Sequence, residues 1–153
     1  MHFRVSMHVL CRLRQSPLNC LFLSAMIQVT CADSRFPLQA VVIPMGEDLL
    51  LSITGGTRPH LGGISLVDGS PGQFSEQVLV LPGHREDEPA LAVGRQVAQA
   101  TGKVVAVAVG IHWDNLTRRE IEEIRRNWQR LAEMIIDRLA VEAENQTGRL
   151  NES

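Results

Sequence analysis

"KVVAVAVGIHWDNLTRREIEEIRRNWQRLAEMIIDRLAVEAE", Lys103 to Glu144, decides the fold. Its first ten residues are almost unbroken Val and Ala up to Gly110, the composition of a buried central strand rather than one alternating between core and water. After a short polar turn, Thr117 and Glu120 stand three apart as a capping box that starts a helix. From there Ile121, Ile124, Trp128, Leu131, Ile135 and Leu139 recur at three- and four-residue spacing, which puts them on one stripe of a long helix. The remaining positions are largely charged and belong in water. A central strand followed by a one-sided helix requires a sheet under that stripe.

The sheet is written upstream in short runs bounded by Gly or Pro. "PLQAVVIPMG" (37–46) reads as a strand ending near Pro44, the "MGED" turn follows, and "LLLSITGG" (49–56) reads as its hairpin partner. "GGISLVDG" (62–69) and "QVLVLPG" (77–83) supply two more strands. A helix comes next. Glu86, Asp87 and Glu88 cap its positive end, Pro89 suits its first turn, Leu91, Gly94, Val97 and Ala98 form its apolar face, and Gly102 stops it. The expectation is a single α/β domain over residues 26–144, a mixed and mostly antiparallel sheet with two main helices packed mainly on one face. Residues 145–153 read as a polar, frayed tail.

With 153 residues, 44% of them hydrophobic and 21% charged, the chain carries enough apolar material for a core without staples. A net charge of −2 and no clustered Lys or Arg leave no electrostatic footprint for nucleic acid, and the lack of Tyr removes most stacking platforms. No stretch reaches the ~20 continuous apolar residues of a membrane span. Residues 1–25 differ from the rest, with Arg4, Arg12 and Arg14 and no acid. One reading is a signal peptide, with an apolar run from Leu18 to Val29 and small residues around Cys31 and Ala32. Asn19, Ser24 and Gln28 interrupt that run, so the preferred reading is a disordered upstream extension, with translation beginning naturally at Met26. Cys11, Cys20 and Cys31 make an odd count with no CxxC spacing, which suits a reducing, cytoplasmic location.

The residues that can carry chemistry gather around "LSITGGTRPHLGGISL" (51–66). Gly55 with Gly56 and Gly62 with Gly63 bracket Thr57, Arg58 and His60, twice the glycine a hairpin turn needs. His60, His84 in "LPGHRED" and His112 in "GIHWDN" each sit at or just past a strand end, where loops of α/β sheets collect ligands. Arg58, Arg85, Asp114 and Asn115 flank them. Each histidine could instead simply close its own turn with a hydrogen bond.

Two chemistries can use this set. Zinc on His60, His84 and His112 would leave an open position, but no HxH or HExxH spacing supports it. An anion is the better fit. The four glycines let backbone N–H groups approach a ligand, Arg58 offers a planar fork for phosphate, and a helix begins just past Gly83, although Glu86–Glu88 compete there. There is no GK[ST] and no GxGxxG, and Ser52 and Ser65 lack a nucleophile-elbow setting, so no catalytic residue is assigned. Trp113 either lines an apolar ring pocket or packs under the last helix.

Read together, "ITGGTRPHLGGISL" (53–66), "LPGHREDE" (81–88) and "GIHWDNLTRREIEEI" (110–124) resemble the LpdD-like prenylated flavin chaperones, small proteins encoded beside gallate and other hydroxyarylic acid decarboxylases. The resemblance spans about Phe36 to Leu139. It implies a fold related to the proteasome-assembly chaperones and a non-catalytic accessory protein. The implied ligand is prenylated FMN, or FMN itself, and the implied partner is a UbiD-like aromatic acid decarboxylase to which the cofactor is delivered or which is matured. On that reading Thr57, Arg58 and the surrounding glycines take the phosphate. His60, His84, His112 and Asn115 take the polar ring edge or a partner, and Trp113 is a stacking candidate. Trp113 stands where a smaller apolar residue is expected, and the leader is not a family feature. Two rival classes stay open: a small metal-dependent enzyme on the three histidines, and an assembly chaperone for the decarboxylase that binds no small molecule. A homodimer is expected, through the long final helix or the sheet edges.

Overall fold

Val105, Val107 and Val109 are fully buried, and the strand that carries them sits inside a six-stranded sheet. The computed structural model describes residues 26–151; the segment 1–25, expected to be an extension or leader, lies outside the described residues. In chain order the elements are β1 (Ile27–Cys31), β2 (Leu38–Met45), β3 (Asp48–Gly56), β4 (Gly63–Asp68), β5 (Ser75–Val80), α1 (Asp87–Thr101), β6 (Val104–His112) and α2 (Arg118–Asn151). The strand order is β1-β2-β3-β6-β4-β5. β3 and β6 run parallel and every other neighbouring pair is antiparallel. This is the expected mixed, mostly antiparallel sheet.

Both helices cover the same face. α1 lies over β4 and β6, and α2 over β1 and β2. Ile124, Trp128, Leu131, Ile135 and Leu139 of the α2 stripe are buried against the sheet, each worth about 1.5–3 kcal/mol of apolar burial. Buried polar groups fix the two layers together. Ser65 Oγ donates to the Ala90 carbonyl at 2.7 Å, and Asn127 Nδ2 donates to Ser34 Oγ at 2.7 Å and the Phe36 carbonyl at 2.9 Å. The capping box forms: Thr117 Oγ1 lies 2.8 Å from Glu120 Oε2, which also accepts from Thr117 N at 2.7 Å.

Three features differ from the expectation. β1 is an edge strand N-terminal to the first strand read from the sequence, and Cys31 points into the core, where burial pushes its thiol up. α2 extends past Glu144, into the residues read as a tail. Its backbone ladder continues to Asn151 although it no longer has an apolar stripe to bury. β6 is covered on one face only: Val105, Val107 and Val109 meet the helices, while Ala106 and Ala108 lie half-buried on the open face. The strand reads as continuously apolar because that open face is apolar as well.

Candidate functional site

Because β3 and β6 are parallel, their C-terminal ends lie side by side, Gly56 opposite His112. β4 begins and β5 ends at the same edge, with Gly63 paired to both Val80 and Val109. The loops holding His60, His84 and His112 therefore leave the sheet together. They are tied by Thr57 N–H to the His112 carbonyl, Gly62 N–H to the Val109 carbonyl and Leu81 N–H to the Gly62 carbonyl, each at 2.9 Å. The His60 ring centre lies 4.9 Å from that of His84 and 5.6 Å from that of His112. Three histidines spread over 53 positions of sequence thus form one cluster.

Two of them also close their own turns. His60 Nδ1–H donates to the Arg58 carbonyl and His84 Nδ1–H to the Pro82 carbonyl, both at 3.1 Å. This fixes each ring and leaves Nε2 for something else. His60 Nε2 is buried, makes no hydrogen bond among the described residues, and faces Glu86 Oε1 at 3.4 Å. His112 is shared differently. Its Nε2 lies 2.8 Å from Arg58 Nη2 and 3.0 Å from Asp114 Oδ1. One ring nitrogen can accept from the arginine or donate to the carboxylate, so the trio has two arrangements that differ by one proton's position. The His112 hydrogen bond, followed by the charge of Arg58, holds the Asp114 carboxyl below its ordinary range.

Glu86 and the glycines work otherwise than the sequence suggests. Glu86 is 6% exposed and makes no side-chain cap to α1. Its carboxylate turns inward, accepting from Arg85 N at 2.9 Å. Gly62 makes room for it, since a Cβ there would stand 2.4 Å from Glu86 Cδ. Gly55, Gly56 and Gly63 are paired within the sheet, and the N–H groups of Thr57 and Gly62 are engaged by protein carbonyls. The glycines therefore pack the loops tightly rather than forming an open anion cradle. Gly110 is the glycine that sequence reasoning missed. A Cβ there would lie 1.1 Å from the His60 carbonyl oxygen. Its signal was available: a glycine inside a Val/Ala strand weakens it unless another backbone comes close.

Trp113 packs edge-on against Phe36, with ring centres 5.3 Å apart, and it walls a cavity of about 160 Å³ next to the histidines. Pro89, Ile111, Leu116, Ile124 and Trp128 supply its apolar lining, and Arg85, Glu86 and His112 its polar lining. Ile121, expected in the core, is 42% exposed beside it. Gly83 (φ 80°) and Asn115 (φ 55°) occupy left-handed turn positions, and Asn115 is exposed. Among the described residues no group of three His, Cys, Asp or Glu side chains is arranged to hold a metal ion, so the zinc alternative finds no donor set. Among them, too, no helix is long and apolar enough to cross a membrane.

A family model described as the prenylated flavin chaperone LpdD-like domain matches residues 32–140. Protein LpdD of Lactiplantibacillus plantarum is 24% identical over 98 residues, covering 63% of this chain and 72% of that protein. A chain from the crystal structure of a novel chaperone complex for yeast 20S proteasome assembly aligns with a TM-score of 0.48 at 12% identity, over 77% of this chain and 96% of that one. That overlap is too loose to carry an inference. The family match covers β2 through most of α2, including all three histidine loops and the cavity, and the chain accordingly belongs to the LpdD-like prenylated flavin chaperones, non-catalytic proteins rather than enzymes.

Proposed function

We propose that this protein binds a prenylated flavin mononucleotide at the histidine edge of its sheet and hands it to, or helps mature, a UbiD-like aromatic acid decarboxylase in the cytoplasm. The observation that carries this reading is the gathering of three imidazoles and Arg58 beside an apolar cavity, in a chain of this family. A drug-sized ligand needs a pocket of roughly 300–1,000 Å³, so the flavin lies mostly across the mouth. The residues suit its parts. Arg58, with its side chain 70% exposed, meets the phosphate. His60, whose Nε2 makes no hydrogen bond among the described residues, meets the polar ring edge together with the half-buried His84 and His112. The test is titration of the purified protein with prenylated FMN, followed by absorbance and calorimetry. Saturable uptake, together with faster recovery of activity when apo-decarboxylase is reconstituted in its presence, is the expected result. No uptake at micromolar concentrations removes the flavin reading and leaves a ligand-free assembly chaperone, testable by co-purification with the decarboxylase.

The reading includes a homodimer formed through the open face of the sheet. In-register rows Val41–Ser52–Ala108–Ile64–Leu79 and Ile43–Leu50–Ala106–Leu66–Gln77 cross that face without a charge. Ile64, Leu66 and Leu79 are 42%, 49% and 79% exposed. Six strands of up to nine residues, at ~4.8 Å spacing and ~3.3 Å per residue, make a face on the order of 600 Å², close to the ~800 Å² per partner of a standard interface. Two uncharged rows with small residues along their middle match a second copy of themselves. Light scattering should give a dimer for the wild type and a monomer for Leu66→Glu; a monomeric wild type would remove this part.

A further inference from the structure

Arg58, His112 and Asp114 form a triangle whose bonding depends on one proton. Arg58 Nη2 lies 2.8 Å from His112 Nε2 and 3.0 Å from Asp114 Oδ1, and those two atoms are 3.0 Å apart. Arginine does not lose its proton in proteins, so Nη2 always donates. While Nε2 carries a lone pair, two acceptors face each other and the guanidinium bridges them. The shorter contact is the one between the arginine and the ring, which fits this closed arrangement. Once Nε2 gains a proton it donates to Asp114 and turns an N–H toward Nη2, so the arginine loses one partner and must share the other. Asp114 stays ionised meanwhile, because the His112 bond and the Arg58 charge hold its carboxyl below the ordinary range.

Only the end of Arg58 is free to respond. Its carbonyl accepts from His60 Nδ1–H at 3.1 Å, and the neighbouring Thr57 N–H donates to the His112 carbonyl at 2.9 Å. Its side chain, by contrast, is 70% exposed. The other charged or titratable groups around His112 are His60, with ring centres 5.6 Å apart, His84 beyond it, and Arg85 and Glu86, which line the same cavity. The α2 residues that line it, Ile121, Ile124 and Trp128, carry no charge.

We propose that His112 and Asp114 are a proton-operated latch on Arg58. With Nε2 unprotonated, the arginine is held on Asp114. An added proton passes Asp114 to the imidazole and releases the guanidinium to an anion outside. Linkage makes the converse hold as well: an anion that draws Arg58 away favours proton uptake at His112. The natural anion is the phosphate of the flavin reading above, and only its identity rests on that reading.

Sulfate is the probe, because it keeps its charge where histidine changes its own. Calorimetry at constant ionic strength, at about pH 8 and about pH 6, brackets that change. Wild-type affinity for sulfate should rise at least ~3-fold on acidification, and heats compared in two buffers should show proton uptake on binding. Asp114→Asn, at a position whose side chain is 57% exposed, removes the latch without touching the core. It should bind sulfate up to about fivefold more tightly than wild type at the higher pH, an advantage that shrinks below ~2-fold at the lower one. Arg58→Ala should lose the acid-enhanced binding, and His112→Gln should lose at least half of the proton uptake, on the order of one exchanged proton being shared among the ring nitrogens.

A constant ratio between wild type and Asp114→Asn, or undiminished proton uptake in His112→Gln, overturns the latch and assigns acid-enhanced binding to the charge of His60 and His84. Absence of sulfate binding to the wild type at the lower pH overturns it too. The flavin reading fails separately. Latch-like sulfate binding without flavin uptake keeps the latch and overturns that reading, whereas flavin uptake with a constant ratio does the reverse.

Discussion

Asp114 Oδ1 lies 3.0 Å from Arg58 Nη2, so the guanidinium expected to meet a phosphate already faces a carboxylate. The pair is exposed, so water and salt screen it and it contributes little. An arriving phosphate therefore competes with Asp114 rather than with an immovable partner. Asp114→Asn should tighten FMN binding by up to about fivefold at low salt, an advantage that fades as ionic strength rises. Arg58→Ala should weaken it at least ~10-fold, as loss of a charged hydrogen bond does, with little change in thermal stability. Calorimetry at two salt concentrations checks both. Weaker binding in Asp114→Asn would mean that the carboxylate orients Arg58 instead of competing for the anion.

The contact between Gly62 and Glu86 is stability stored in the site. A Cβ at position 62 would press on the end of the Glu86 side chain, which is nearly fully buried and would have to shift. Gly62→Ala should destabilise the fold by about 1–3 kcal/mol, the usual penalty of overpacking. Adding Glu86→Ala should recover at least ~1 kcal/mol of that, because the two positions are in contact and their effects do not add. Urea denaturation of the four proteins of this cycle measures it. Strict additivity would show that the clash is relieved elsewhere.

Gly110→Ala tests the loop position in a way that Gly62 does not. The atom it would meet is a backbone oxygen, at 1.1 Å, so no rotamer change relieves it and the His60 loop must leave its place. The expected result is a loss of about 2 kcal/mol or more, as for other forced backbone displacements, together with a shift of the His60 imidazole signals by NMR. Unchanged His60 signals would show that β6 moves instead of the loop.

These residues also show what a sequence can reveal. The α2 stripe and the Val/Ala strand were legible because burial on one face imposes a period on the chain. The meeting of His60, His84 and His112 was legible only as three strand ends; that they share one edge follows from the parallel pairing of β3 and β6, which no local pattern encodes. Glu86 misled for a related reason. Beside Asp87 and Glu88 it looks like one more charge at a helix start, and only Gly62, 24 positions away, makes the space that turns it inward. β1 was hidden because a five-residue edge strand next to a basic apolar segment has the composition of a leader.

Acid should weaken the fold through groups that are held ionised in it. Glu120 is lowered chiefly by hydrogen bonds from Thr117 N and Oγ1, and Asp114 chiefly by its bond to His112. A carboxyl with a depressed folded-state value contributes stability that is complete above its unfolded value, ~4, and is lost as pH falls through the folded value. The urea midpoint should therefore hold between pH 7 and about pH 5 as far as these two groups are concerned, and drop below ~4. Glu120→Gln keeps a side-chain acceptor for Thr117 but cannot titrate, so its midpoint should start lower at pH 7 and decline less steeply on acidification. Parallel declines for wild type and Glu120→Gln would assign the acid sensitivity to other carboxylates.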